Sequence, residues 1–253
     1  MEQSLKLNIT AASTVGCVRN NNEDMLLVGH TFVRDDHYST SVALNQHDRY
    51  LLALADGMGG HRSGDVASST VLSNLCFFYS DIPAQLPPGN LNEAMCEWLA
   101  SINHIIDANG REHPECQGMG TTLVALAWYD NHFYSLNCGD SRLYVMHNGQ
   151  LHQLTTDHSM NTLTQESRHS NLLFNCIGGG CKTSYFDMVQ CTGDIGPGDT
   201  VLLCSDGLSD MLSNDEIERL LVEDCHAEAL CKAAEMAGGL DNISCIVARI
   251  STT

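Results

Sequence analysis

Three aspartates stand where an apolar run meets a glycine-rich turn: Asp56 in LLALADGMGG, Asp206 in TVLLCSDGLSD and Asp241 in GGLDNISCIV. Asp56 and Asp206 follow runs long enough for a buried strand and are themselves followed by Gly. Asp241 comes after Gly238 and Gly239 and precedes such a run. Strand ends aim side chains reproducibly, and glycine lets the backbone turn sharply beside a ligand. One Asp-Gly is an ordinary turn, because Asp readily bonds its own backbone there. Three in this context, with the acidic pair Glu23 and Asp24 in GCVRNNNED, point to carboxylates that converge on a metal ion.

The elements that must position them follow from periodicity. Residues 50–55 (YLLALA) predict a buried strand and residues 64–79 a helix after it. Residues 91–106 predict a second helix, with Leu91, Met95, Trp98, Leu99, Ile102, Ile105 and Ile106 on a stripe that reads as core and not as a cofactor box. Residues 121–128, 132–138, 141–147 and 150–154, with turns at YDN and Asn148-Gly149, predict an antiparallel meander. From Asp157 to Gly180 periodicity is lost and the stretch ends in three glycines, which predicts a mobile excursion over a site. Strands near 185–191, 200–205 and 243–250 and helices near 214–222 and 226–237 complete the chain. The proline-rich DIPAQLPPGN (81–90) reads as a loop between helices, and GMGTT (118–122) as a helix-to-strand turn. Strands and helices in this mixed order predict an α+β domain with helices outside packed sheets. With neither a linker nor an internal repeat, residues 1–253 are expected to form one domain, with a short flap around 157–180.

Composition narrows the function classes. A chain of 253 residues with 43% hydrophobic and 17% charged residues can bury a sizeable core. A formal charge of −19 and the lack of any Lys/Arg stripe argue against nucleic acid and acidic membrane surfaces as partners. No apolar stretch approaches the roughly 18 residues of a membrane span, and MEQSLKLNIT lacks a signal pattern, so a cytoplasmic protein is expected. The twelve cysteines contain no CxxC pair and are expected to be mostly small buried hydrophobes, with reduced thiols suiting the cytosol. Cys176 with Cys181 and Cys225 with Cys231 come nearest to zinc pairs, but their spacings fit no standard site. Such a density of thiols also suggests sensitivity to oxidation. The twelve histidines show no HxxxH pair and read as surface or loop residues. GMGG lacks the GxGxxG spacing and no GxxxxGK[ST] occurs, so nucleotide binding is set aside; DGMGGHRSGD lacks the alternating acids of an EF-hand.

Seven segments, in order, carry a family likeness: VRNNNED (18–24), LADGMGGHRSGDVAS (54–68), GMGTTLVA (118–125), CGDSRLYV (138–145), LTTDHS (154–159), LLCSDGLSD (202–210) and GGLDNIS (238–244). Together they resemble the metal-dependent Ser/Thr protein phosphatases of the PPM (PP2C) family in their bacterial form. The resemblance implies an α-β-β-α sandwich of two mainly antiparallel sheets flanked by helices, with metals at one edge between the sheets. It implies Asp56 as a bridging ligand, Asp206 and Asp241 completing one ion, and Glu23 with the Gly57 carbonyl completing the other. A weaker third ion would fall on Asp140, Asp206 and Asp210, although Asp140 reads equally as a turn residue. Asp24 would lie behind the ligands. Arg19 matches the family's phosphate-binding Arg, whose planar fork suits two phosphoryl oxygens; the alternative is an ion pair with Glu23 or Asp24. Oxygen ligands select Mn²⁺ or Mg²⁺, and a pair of such ions roughly 3.5–4 Å apart can activate water for in-line attack on a phosphomonoester. The implied activity is hydrolysis of phosphoserine and phosphothreonine on proteins, the targets of a Ser/Thr kinase, by a monomer.

Two places depart from the family. Met58 stands where eukaryotic members carry a His after the metal Asp-Gly, as is common in bacterial forms, and this leaves the leaving-group acid unassigned. His61 is the nearest titratable candidate; it reads equally as a helix-entry His with a structural hydrogen bond. His158 is expected to belong to the fold. The flap TLTQESRHSNLLFNC is shorter than the bacterial pattern, so its chemistry is not carried over. Two other functions remain open: a catalytically silent module that binds phosphoproteins, and a phosphatase of small phosphorylated molecules.

Overall fold

The computed structural model of the chain describes residues 4–46, 48–59, 63–160, 172–191, 193–223 and 226–253. Five strands come first, β1 (Leu5–Thr14), β2 (Met25–Val28), β3 (Thr31–Val33), β4 (His37–Leu44) and β5 (Arg49–Ala55), then a two-residue strand β6 (Gly57–Met58). Helices α1 (Gly64–Asp81) and α2 (Pro88–Glu112) follow. Next are β7 (Gly120–Thr121), β8 (Leu123–Tyr129), β9 (His132–Cys138), β10 (Arg142–His147), β11 (Gln150–Gln153), β12 (Ile177–Gly178), β13 (Asp187–Gln190) and β14 (Thr200–Cys204). The chain closes with α3 (Asp206–Ser209), α4 (Asn214–Glu223), α5 (Ala227–Met236) and β15 (Ile243–Thr252).

The long apolar runs are strands buried on both faces, and period-two alternation divides each of them between two cores. In β5, Leu51, Ala53 and Ala55 face the helices α1 and α2, while Leu52 and Leu54 face the opposing sheet. In β14, Val201 and Leu203 face that same inter-sheet core, while Leu202 and Cys204 face α4 and α5. Two six-stranded antiparallel sheets result, ordered β11-β10-β14-β15-β1-β4 and β13-β9-β8-β5-β2-β3, with helices on both outer faces. This is the expected α-β-β-α sandwich. A third, three-stranded sheet, β12-β7-β6, lies at the end of β5.

The expected helices and strands are present, with α2 longer than its stripe. Pro87 and Pro88 open it where a missing N–H costs nothing, and Pro114 bars its continuation. Ile105, expected on the stripe, is 42% exposed and lies off the buried face. The meander requires a correction. Residues 123–138 form a hairpin in one sheet, but β10 and β11 belong to the other, so the chain crosses between sheets at Gly139–Ser141. Periodicity could not show this, because the inward faces of both sheets are equally apolar. GMGTT holds a short strand, β7, as well as a turn. Cys138, Cys176, Cys191, Cys204, Cys231 and Cys245 are buried as expected, whereas Cys17 and Cys96 are exposed. At the base of the flap Ser159 pairs with Leu173, and the flap residues 161–171, like Cys225, lie outside the described residues.

The small sheet is fastened to α2 by Asn103, which is buried. Its Oδ1 accepts the Gly178 N–H (2.7 Å) and the Ser184 hydroxyl (3.1 Å), and its Nδ2 donates to the Cys181 carbonyl (3.1 Å). Asn103→Ala is expected to lower unfolding stability by about 2–3 kcal/mol in urea denaturation, because it strands buried donors and an acceptor. A change below about 0.5 kcal/mol would show that the tie carries no strain-bearing role.

Candidate metal centre

Each acidic residue is aimed by the end of a strand. Met25 of β2 pairs with Ala55 of β5, which brings Glu23 and Asp56 to the same end of one sheet. Cys204 of β14 pairs with Cys245 of β15, which brings Asp206 and Asp241 to the end of the other. Hydrogen bonds then knit the two ends together. The Ser205 hydroxyl donates to Asp24 Oδ2 (2.9 Å), and the Glu23 N–H donates to Asn242 Oδ1 (2.8 Å). Asn242 also donates through Nδ2 to the Val15 and Asn21 carbonyls (3.1 and 2.9 Å). The Asp56 backbone is pinned by Thr122, whose Oγ1 accepts its N–H (3.0 Å), and by the Thr121 hydroxyl on its carbonyl (2.9 Å). Between these strands only glycine fits at position 57: a Cβ there would collide with the carbonyl oxygens of Gly64 and Glu23.

Burial and mutual repulsion govern the charges. Asp56 is pushed well above the ordinary carboxylate range by burial and then by Asp24, Asp206, Asp140 and Asp241. Asp24 rises to about 7 through burial, against the hydrogen bonds of Ser244 and Ser205. Asp206 rises to about 6 through burial and the nearby Asp241 and Asp210, and Asp140 to about 7 through burial and Asp206. Burial also raises Glu23, opposed by the Gly64 N–H at the start of α1. These groups therefore lie within electrostatic reach of one another. Among the described residues, however, no three His, Cys, Asp or Glu side chains are placed so that they already enclose an ion. Asp241 is engaged instead by Arg19, whose Nη2 meets its Oδ2 at 2.6 Å. The donor set nevertheless fits hard divalent cations, being all oxygen, and the buried Asp24 Oδ1 has no hydrogen-bond partner.

The protein phosphatase 2C family model matches residues 30–240. The chain belongs to the protein phosphatase 2C family. It is 34% identical to the serine/threonine protein phosphatase PstP of Mycobacterium tuberculosis over 98% of this chain and 46% of PstP, so it spans about half the length of that relative. It is 33% identical to the protein phosphatase PhpP of Streptococcus pneumoniae, over 94% of this chain and 95% of PhpP. The solved structure of the PstP catalytic domain, in complex with two manganese ions, superposes with a TM-score of 0.74 at 33% identity, covering 98% of this chain and 99% of that one.

Against this family frame, Glu23, Asp56, Gly57, Asp206 and Asp241 gather at one edge of the sandwich, and Asp140 and Asp210 flank Asp206 electrostatically. Arg19 is 53% exposed and pairs with Asp241, not with Glu23 or Asp24. His61 lies outside the described residues. His158 belongs to the fold: it is buried, Nδ1 accepts the Gly139 N–H (3.1 Å), and Nε2 meets Asp187 at 2.9 Å. Sequence reasoning passed over Asn242, Ser205 and Thr122. The signal for Asn242 was present in its place directly after Asp241, at the mouth of a strand.

For acids whose folded-state pKa is raised, the folded state holds more protons between pH about 4 and 7, so stability falls as pH rises through that window. In chelator the melting temperature is expected to be lower at pH about 7.5 than at about 5.5. Millimolar Mn²⁺ should raise it at the higher pH, and Asp206→Asn should shrink that increment. A melting curve indifferent to metal would refute the site.

Proposed function

We propose that this chain hydrolyses phosphoserine and phosphothreonine on proteins with two Mn²⁺ or Mg²⁺ ions. The reading is carried by the acidic edge where Glu23 and Asp56 from one sheet meet Asp206 and Asp241 from the other, in a chain similar to proteins named as serine/threonine phosphatases. Asp56, Asp206 and Asp241 would hold one ion, and Asp56, Glu23 and the Gly57 carbonyl would hold the other. Asp140, Asp206 and Asp210 would hold a weaker third. When bound, such ions neutralise phosphoryl charge and activate water. Asp24, fixed by Ser205, ties the ligand end of β2 to the end of β14 in the facing sheet. Arg19 exchanges Asp241 for the substrate phosphate, because a half-exposed guanidinium on a loop can swing from one oxyanion to another. The leaving-group acid has no assigned residue, since the candidate His61 is not described.

Residues 1–253 act as one catalytic unit in this reading, as a monomer on phosphoprotein targets of a Ser/Thr kinase. The free thiols of the described cysteines support a cytoplasmic address.

Hydrolysis of a phosphothreonine peptide and of p-nitrophenyl phosphate is expected to require Mn²⁺ and to fall about 100-fold or more in Asp206→Asn. No turnover by the folded, metal-saturated protein would overturn the reading. Arg19→Ala is expected to lower kcat/KM about tenfold or more, and Arg19→Lys to restore only part of it, since Lys lacks the two-pronged fork. Full activity in Arg19→Ala would leave Arg19 as an ion-pair residue alone.

A further inference from the structure

Cys176 and Cys181 face each other across a six-residue turn, with their Sγ atoms 3.1 Å apart and the Cys176 thiol donating to the Cys181 sulfur. The turn depends on its glycines: Gly178, Gly179 and Gly180 have φ of 72°, 58° and 87°, the left-handed region. The Cys181 N–H closes it on the Gly178 carbonyl (2.9 Å). Cys176 is buried, whereas Cys181 is half-buried and open to a small oxidant. By contrast, Cys231 and Cys245, 3.8 Å apart, are both sealed in the core.

We propose that Cys176 and Cys181 are a redox modification site that closes to a disulfide under peroxide and reopens under thiol reductants. Cys181 is the more accessible of the two sulfurs, so peroxide meets it first, and its thiolate is the form that attacks. That attack breaks the O–O bond and leaves a sulfenic acid on Cys181, the departing hydroxide taking up a proton as water. Cys176 is the resolving thiol because its sulfur already lies 3.1 Å from that of Cys181, and burial keeps its proton on until it attacks. Its sulfur attacks the Cys181 sulfur and expels hydroxide, which leaves with the Cys176 proton as a second water. In sum two thiols lose two electrons and two protons to one peroxide. The sulfurs need to close by only about 1 Å to reach bonding distance.

The turn is mechanically joined to the acidic edge. β12 enters the turn and pairs with β7, and β7 pairs with β6, which carries Gly57. The Gly179 N–H donates to the Met119 carbonyl (2.8 Å), and the Thr121 hydroxyl holds the Asp56 carbonyl (2.9 Å). Closing the disulfide tightens the turn that contains β12, and through the pairing of β12 with β7 it shifts the segment that fixes Asp56 and Gly57. The effect on turnover rests on the proposed phosphatase reading; formation of the disulfide does not.

The protein is treated with stoichiometric hydrogen peroxide, alkylated and digested with trypsin without reductant. The peptide 169–182 contains these two cysteines and no other. It is expected to be lighter by two hydrogens and closed to alkylation, and dithiothreitol should reverse both changes. Turnover with Mn²⁺ should fall about tenfold and recover with the reductant. Cys181→Ser and Cys176→Ser, checked for an unchanged melting curve, should lose the reversible response. Thiols at 176 and 181 that stay alkylatable while the exposed Cys17 and Cys96 are oxidised would overturn the site. A disulfide with unchanged turnover would overturn the link through the small sheet. A protein without turnover in either redox state fails the phosphatase reading alone, because the peptide mass decides the disulfide independently.

Discussion

Holding several carboxyl groups together in a poorly solvated edge is the constraint on which the remaining structure depends. Burial raises Asp24, Asp56, Asp140 and Asp206, and nearby carboxylates raise each of them further. Such an arrangement opposes folding unless cations or protons neutralise it. The frame must therefore be stiff enough to keep the groups from drifting apart. Three apolar cores supply that stiffness, one between the sheets and one under each helical layer. Paired strands transmit it, because the acidic residues follow or precede residues locked in register with a neighbour.

Hydrogen bonds across the sandwich complete the constraint. Asn242 reads three backbone groups at once, the Glu23 N–H and the carbonyls of Val15 and Asn21. Ser205 meets both Asp24 and the Ser244 N–H (3.1 Å). The bonds of Asn242 and the Ser205–Asp24 bond link segments more than 180 residues apart in the chain, so the edge forms only when the whole sandwich has formed. The ion pair of Arg19 with Asp241 belongs to the same balance: it covers a carboxylate that would otherwise add to the repulsion.

How much of this could be read from sequence varied with the kind of signal. β5, β14 and β15 were legible because strands buried on both faces appear as unbroken apolar runs, and the Asp at each break was legible as the place where burial ends. β1 and β4 were not predicted. Their half-polar residues, such as Asn8, Thr10, Ser39 and Ser41, weaken the pattern, since β4 is an edge strand with one open face. The crossing at Gly139–Ser141 was hidden because it changes partners and not hydrophobicity. Asp140 lies on that crossing, which carries it close enough to Asp206 for the two carboxyl groups to repel. The partner of Arg19 was beyond local reasoning, for Asp241 is 222 residues away in the chain.

The small sheet shows why a site can depend on parts that look incidental. Strands of two residues cannot hold themselves, because so few hydrogen bonds do not offset the entropy of ordering them. β6, β7 and β12 persist only because larger elements grip each one: β6 continues from β5, Thr121 and Thr122 grip Asp56, and Asn103 on α2 grips Gly178. A marginal element held from outside responds to small changes in any of its supports. Gly57 sits on that element while Asp56 sits at the end of a rigid strand, so the two sides of the proposed centre differ in stiffness. The side built on Asp206 and Asp241 is fixed by the long pairing of β14 with β15, whereas the Gly57 side inherits whatever the triple-glycine turn does.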